Sequence, residues 1–302
     1  MLREKIVKDF KKNYLIYLMI LPVIVYLVVF CYKPMYGLII AFQRYRPRLG
    51  FARSPFVGFD NFKRFFNDYN FWRVFKNTLL INVVNTLFSF PVPIALALLI
   101  NEVKCSWFKR SVQTITYLPH FIAMVIVCGL VHEFTQTDGL INNIIAFFGG
   151  KRHNLLLKDE WYYPIYIFSG IWKEAGWGSI IYLATLAGID QEQYEAAKID
   201  GAGRLQQMRY ITFPGLVPTV SMLLILKMGT MLGSAREKVL LLYSEATYDV
   251  ADVIGTFVYR KGILGADYSY STAVSLFDSI INIILLVTAN KISKKLGQSG
   301  LF

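Results

Sequence analysis

The sequence predicts an all-α membrane protein of six transmembrane helices with both termini on the cytoplasmic side. Three observations predict it. Of 302 residues, 55% are hydrophobic and only 17% are charged. Six apolar runs of about twenty residues or more punctuate the chain, and a helix rising ~1.5 Å per residue crosses a ~30 Å hydrocarbon layer in about that length. Lys and Arg are dense at both ends. The net charge of +12 sits in short clusters between apolar runs rather than in one interleaved basic domain, which points to lipid headgroups and acidic partners, not nucleic acid.

The first run, 14–32, carries no formal charge and follows Arg3, Lys5, Lys8, Lys11 and Lys12. It is too long for a secretory signal and no small-x-small cleavage site follows, so a retained transmembrane helix is expected. Residues 1–76 then form this helix plus an extracytoplasmic loop. The loop's aromatic stretch from Phe56 to Phe62, continuing to Trp72, suits a compact element against the membrane face, either an ordinary packed loop or a docking surface. Residues 77–290 form a core domain of five spans at 77–100, 111–132, 161–189, 212–232 and 271–290, and 291–302 form a cytoplasmic tail. The first three of the six runs are free of charge, whereas Lys173 and Glu174, Lys227 and Asp278 interrupt the last three. The terminal clusters, the second being Lys291, Lys294 and Lys295, favour both ends inside, as an even number of spans permits. Lys33 to Arg73 holds eight further cations, but long loops report orientation poorly.

Between the fourth and fifth spans lies a polar segment, 190–214. Asp190 can cap a helix with Gln193 reaching back in a capping box. Tyr194, Ala197 and Gly201 follow at i, i+3 and i+7, predicting a face of small residues that another helix or groove can approach. Gly201 and Gly203 let the backbone turn, a second short amphipathic stretch runs from 204 to 211, and Pro214 fits the first turn of the fifth span.

Glu195-Ala196-Ala197, three residues, Gly201, nine residues, then Ile211-x-Phe213-Pro214 resembles the EAA loop of bacterial binding-protein-dependent ABC importer permeases, which reads EAA, three residues, G, nine residues, I-x-L-P. The one departure is Phe213 for Leu. The resemblance covers roughly 77–290. Gly170-Ile-Trp172, Gly176-Trp-Gly178 and the stretch from Ala251 to Lys261 are similar to the permeases of complex-carbohydrate oligosaccharides. The resemblance implies a type I permease in the bacterial cytoplasmic membrane. Its coupling helix, carrying Glu195, Ala196, Ala197, Asp200 and Gly201, would dock on a cytoplasmic ATPase. It implies two such ATPases, which hold ATP and Mg while this chain binds no cofactor itself. It also implies a second permease and an extracellular, lipid-anchored solute-binding protein that delivers an oligosaccharide. The unmatched first helix and basic loop favour a second permease that differs from this chain. A loop after an even-numbered span lies on the side of the N-terminus, so the charge clusters and the docking loop require the same side.

Polar groups inside spans are site candidates because they are costly in hydrocarbon. Thr78, Asn82, Asn85 and Ser89 mark one face of the second span; Ser271, Ser275, Asp278 and Asn282 mark one face of the sixth. Either stripe can bind sugar hydroxyls or join helices by hydrogen bonds. Trp172 and Trp177 are about 140° apart on a helix of ~3.6 residues per turn, so they form no common platform unless Gly176 and Gly178 break the helix. Trp177, on the face of Lys173, is the candidate for stacking on sugar. Lys227 either snorkels to the outer interface or meets an anionic substrate, and Asp278 is its candidate partner. Trp177, Asn82, Asn85, Lys227, Asp278 and Asn282 are thus the expected substrate path.

No catalytic or metal centre is expected. Gly149-Gly150-Lys151 lacks the spacing of a phosphate loop, and Gln136 stands where a metalloprotease helix starting at His132-Glu133 needs its second histidine. His120, His132 and His153 have no ligand pattern. Cys31, Cys105 and Cys128 are too dispersed for a disulfide framework or a metal site. An ion-coupled secondary transporter of a small polar solute using Lys227, Asp278 and Glu174 is the alternative, though paired inverted repeats are missing. A lipid-modifying intramembrane enzyme would need a convergent polar cluster that no motif announces.

Overall fold

The computed structural model describes residues 9, 11–233, 235–297 and 300–301. Arg3, Lys5 and Lys8 lie outside the described residues. Among those described there is no strand, only an isolated antiparallel bridge between Gln43 and Phe56. Four helices are long and apolar enough to cross a membrane: Tyr14–Phe42, Phe71–Glu102, Arg204–Gly229 and Tyr268–Lys295. A fifth is added if Ser106–Phe121 and Met124–Phe147, which meet at 98°, are one span. Asp159–Ala187, over the fourth expected span, has 29 residues and is about 43 Å long. With its Tyr and Trp residues, Lys173 and Glu174, it is not among those four.

The chain divides into two compact units, 1–68 with 258–276, and 69–257 with 277–302. In the first, α1 (Tyr14–Tyr26) runs on through a π-helical turn, Leu27–Tyr32, into the 3-10 segment Tyr36–Phe42. Pro34 cannot donate an N–H to the carbonyl of Phe30, which loosens the helix at this turn. Residues 14–36 are all exposed on the chain. This suits a segment whose apolar side chains meet lipid tails, where no hydrophobic force drives helices together. After it, α2 (Asp60–Phe66) buries Phe65 edge-on against Tyr270, whose hydroxyl donates to Asp68. Arg64 lies over the same ring and pairs with Asp267 at 3.0 Å. Of the aromatic stretch, Phe59 and Phe62 cluster with Phe42, whereas Phe56 stays exposed.

In the second unit, α3 (Phe71–Ser89) passes into α4 (Pro91–Glu102), and α5 (Ser106–Tyr117) is followed by α6 (Met124–Thr135) and α7 (Leu140–Phe147). The expected straight span 111–132 is therefore broken. Pro119 opens a short 3-10 segment, Leu118–Phe121, and the backbone turns there. A broken helix at membrane depth must have its freed carbonyls satisfied. Lys173, only 6% exposed, donates to the His120 carbonyl at 2.7 Å and so meets part of that need.

Lys173 comes from α8 (Asp159–Ala187), which packs along α4 and α5. Gly176 makes this close approach possible. A Cβ there would lie 2.0 Å from the Thr116 carbonyl oxygen. Neither Gly176 nor Gly178 breaks α8, so Trp172 and Trp177 stay on different faces. After α9 (Gln191–Ile199), α10 (Phe213–Gly229) carries Pro214 in its first turn as predicted. Then follow α11 (Arg236–Leu242), α12 (Tyr248–Ala251) and α13 (Tyr268–Lys295). Tyr162, Tyr166, Val239, Leu242 and Val253 centre one apolar core, and Ala97, Tyr182, Leu186 and Leu216 another.

The segment from 248 to 257 is tied to α3 by polar contacts. Asn77 donates to the carbonyls of Asp249 (2.9 Å) and Asp252 (3.2 Å), and Thr78 Oγ1 accepts the Ile254 N–H at 2.8 Å. The fully buried Asp252 carboxylate meets Arg73 at 3.4 Å and the Thr256 hydroxyl at 2.8 Å. Arg73→Ala removes a cation from that buried carboxylate, and we expect a loss of about 3 kcal/mol. Thermal unfolding in detergent checks this; an unchanged midpoint would show the pair to be dispensable.

Candidate functional site

Two features of the second unit carry chemistry. The first is an open cavity of about 440 Å³ bordered by α3, α8 and α10, with Asn85, Ser89, Trp177, Lys227, Lys238 and Glu174 among its polar and aromatic walls. Lys227 donates to Ser89 Oγ at 3.2 Å and lies 5.7 Å from the Phe90 ring. Lys238, 6% exposed, donates to the Tyr166 carbonyl and sits 4.5 Å from the centre of that ring. Its helix, α11, lies outside the apolar spans, and burial pushes its ammonium down to about 8. An ammonium has three donors, so these contacts exhaust neither lysine. Glu174 is held by His120 Nδ1 at 2.8 Å and Lys173 Nζ at 3.1 Å. Two ammonium groups thus face one carboxylate that Lys173 and the His120 ring, both outside the lining, already engage. Trp177 stacks on His120 with centroids 4.4 Å apart and planes 2° off parallel, yet the indole stays 42% exposed.

The expected substrate path is divided by these positions. Trp177, Asn85 and Lys227 line the cavity. Asn82 does not; it is buried and donates to the Thr78 carbonyl at 2.7 Å, so half of the α3 stripe joins the chain to itself. Asn282 likewise receives the Leu232 N–H on its side-chain oxygen at 3.0 Å. The Lys227–Asp278 pair is not formed: no ion pair within 4 Å joins them among the described residues, and Lys227 turns to Ser89 instead. Asp278 Oδ1 is buried with no hydrogen-bond partner.

The second feature is the 190–214 segment. Asp190 caps α9, accepting the Glu192 N–H at 3.0 Å, while no bond returns from Gln193 among the described residues, so the cap is single. Glu195, Ala196, Ile199 and Asp200 are exposed; Tyr194 and Ala197 are half-buried. Tyr194 and Ala197 of the predicted face therefore turn inward, while Gly201 is exposed. Tyr194 packs inward, with its hydroxyl 3.0 Å from Thr212 Oγ1. Gly201 lies past the helix end at φ +77°, a left-handed turn that side chains disfavour. The Ala202 N–H then returns to the Ala197 carbonyl at 2.8 Å, and Gln206 accepts the Gly203 N–H at 2.8 Å. Beyond the turn Leu205 and Tyr210 are 80% and 69% exposed. Beside α9 an open hollow of about 550 Å³ is lined by Asn101, Glu102, Lys104, Tyr194 and Lys198 among others.

The family described as binding-protein-dependent transport system inner membrane component matches residues 89–297. The chain belongs to this family. The permease is 46% identical over 301 residues, 99% of its own length and 94% of the relative's, to the polygalacturonan/rhamnogalacturonan transport system permease protein YteP of Bacillus subtilis (strain 168). It is 45% identical to protein LplB of the same strain, covering 97% of this chain and 92% of that one. Its fold matches a chain of a bacterial ABC transporter involved in import of the acidic polysaccharide alginate, with TM-score 0.90 and 43% identity over 96% and 99% of the two chains. It is therefore an inner-membrane, multi-pass permease component of a sugar or oligosaccharide ABC importer, a transport component and not an enzyme. The ion-coupled alternative falls with that membership.

Sequence reasoning about the permease missed Lys238 and Tyr166 as cavity walls and His120 as the ring beneath Trp177. Lys238 lies outside every predicted span, and His120 sits where the expected third span breaks. Pro119 was the available signal for the break.

Proposed function

We propose that the permease forms half of a translocation path for an acidic oligosaccharide, delivered by an extracellular solute-binding protein and driven through the 190–214 loop by cytoplasmic ATPases. The observation that carries the substrate class is the pair of lysines, Lys227 and Lys238, in a cavity that also exposes Trp177. Ammonium groups recognise carboxylates, and an indole face recognises the apolar face of a sugar ring. Alginate is an acidic polysaccharide, and polygalacturonan is a polymer of uronic acid, so the names of the relatives agree with this chemistry.

In this reading the chain makes six spans, with Asp159–Ala187 as the fourth and the bent pair as the third, and both termini are cytoplasmic. Residues 1–76 are an N-terminal helix and outer loop, 77–290 the core, and 291–302 the tail. The core pairs with a second permease, preferably a different chain. Glu195, Ala196 and Asp200, with the exposed Ile199 and Leu205, dock on an ATPase, and Gly201 shapes the turn that presents them. Two such ATPases hold ATP and Mg, and this chain holds no cofactor. A periplasmic protein carrying an alginate pentasaccharide accompanies the alginate transporter in a second solved structure, and a lipid-anchored counterpart serves here.

Uptake by proteoliposomes of the assembled transporter tests the substrate class. Lys227→Gln with Lys238→Gln is expected to lower uptake of trigalacturonate roughly tenfold or more, since hydrogen bonds to charged groups contribute about 1.5–3 kcal/mol, and to spare a neutral sugar. Equal loss for both sugars, or none, contradicts the reading. A Lys238 ammonium with its pKa near 8 is charged below that pH and neutral above it. Trigalacturonate binding should therefore weaken from pH 7 to 9 in the native permease, and less so in Lys238→Gln.

A further inference from the structure

We propose that the 43–56 loop is a second binding site for carboxylate-bearing oligosaccharide, distinct from the cavity and built on the first unit. The proposal rests on the topology above, which places this loop outside. Arg44, Arg46, Arg48 and Arg53 fall within ten residues, all exposed, and no Asp or Glu occurs between Asp9 and Asp60. Some cations elsewhere find acids: Arg64 pairs with Asp267 at 3.0 Å, Arg152 with Asp138 at 3.7 Å, and Lys158 with Glu160 at 3.9 Å. Among the described residues none of the four loop arginines has such a partner.

The loop is nevertheless a fixed platform. Its ends close through the Gln43–Phe56 bridge. The Arg44 N–H donates to the Pro55 carbonyl at 2.8 Å, and the Arg46 N–H to the buried Ser54 hydroxyl at 3.1 Å. Buried Gln43 donates to the Phe51 carbonyl at 2.9 Å, and buried Asn61 donates to the carbonyls of Ala41 and Gln43. The Tyr45 N–H donates to Ser269 Oγ at 2.8 Å, and its ring packs 5.4 Å from Phe51 and 6.4 Å from Tyr268. Backbone and rings are thus held while the guanidinium groups are left uncompensated. Close like charges repel and cost stability unless an anion joins them.

The geometry names the anion's class. Tyr45, Arg46, Pro47, Arg48 and Leu49 line an open hollow of about 540 Å³, so cationic forks alternate with apolar walls. A guanidinium binds a carboxylate with two parallel hydrogen bonds, and apolar walls suit the faces of the sugar rings between successive carboxylates. A lipid phosphate would satisfy the arginines but has no use for those walls. The site would hold the acidic sugar electrostatically.

The test uses the full chain, in the assembly in which it purifies, held in nanodiscs of phosphatidylcholine, with trigalacturonate as probe and maltotriose as neutral control. Trigalacturonate binding is expected to survive in part in Lys227→Gln/Lys238→Gln. Adding Arg46→Gln/Arg48→Gln should then weaken the residual binding at least about tenfold, as expected for lost charge-assisted bonds. That residual binding should also fall steeply with salt. The Arg46 and Arg48 side chains are exposed, so unchanged elution on size exclusion will show the variant folded. If Arg46→Gln/Arg48→Gln leaves binding unchanged in either background while Lys227→Gln/Lys238→Gln weakens it, the loop site is wrong and the cavity reading stands. If the arginine variant matters and the lysine variant does not, the loop site stands and the cavity reading falls. A native assembly that binds no trigalacturonate overturns both. Loss of co-purifying phosphatidylglycerol as the only effect of Arg46→Gln/Arg48→Gln would make the loop a lipid site and overturn the proposal.

Discussion

Glu195→Arg is expected to release the permease from its ATPase and to abolish ATP-driven uptake, with the protein still inserted in the membrane. Glu195 is exposed on α9 and no ion pair holds it among the described residues, so reversing its charge costs the isolated fold little. Misplaced charge at a protein interface costs several kcal/mol, and about 3 kcal/mol is already more than a hundredfold in affinity. Gly201→Val should act on the same step by another route. With φ at +77°, a β-branched side chain is strained by at least the ~1–2 kcal/mol of a left-handed residue. Nothing lies within 4 Å of a Cβ there, so the cost is in backbone shape, not in overlap. The turn after α9 would re-form with Glu195, Ala196 and Asp200 aimed differently. Co-purification of ATPase with each variant, scored beside uptake, checks both; if ATPase and uptake persist in the two variants, the docking assignment is wrong.

Gly176→Val should be the most damaging change in the membrane interior. The atom it adds lies 2.0 Å from the Thr116 carbonyl oxygen and 2.3 Å from its carbon. These are backbone atoms that no rotamer change removes, so α8 must lift off α5. The same contact positions Lys173 on the His120 carbonyl and Trp177 on the His120 ring, so the broken helix loses a buried donor as well. We expect about 3 kcal/mol or more of destabilisation, seen as loss of monodisperse protein in detergent. Gly129→Ala, where nothing lies within 4 Å of the added carbon, is the silent control. A Gly176→Val protein with unchanged thermal midpoint and uptake would contradict the α5–α8 packing.

The apolar runs and the EAA spacing were legible because each follows from residue type in register along the chain. Runs at 77–100 and 212–232 match parts of Phe71–Glu102 and Arg204–Gly229, and Asp190 and Pro214 open their helices where expected. The break at Pro119 was not read, because His120 and its neighbours stay apolar enough to mimic a continuous span. Pairing was the other blind spot. Lys227 and Asp278 are the obvious opposite charges in the apolar runs, yet a serine on α3 takes the lysine. Periodicity also placed Tyr194, Ala197 and Gly201 together without showing which side of α9 faces the rest of the chain, and Thr212 settles that by holding the Tyr194 hydroxyl. Lys238 became a cavity wall only through folding, since its burial depends on Tyr166, far from it in sequence.

The measurement that bears most directly on the central claim is the sidedness of Ala196. With Cys31, Cys105 and Cys128 replaced by serine, Ala196→Cys supplies one exposed thiol on α9. A membrane-impermeant maleimide should label it in inside-out vesicles only, and bound ATPase should protect it. Labelling of right-side-out vesicles, or labelling indifferent to the ATPase, would contradict the account.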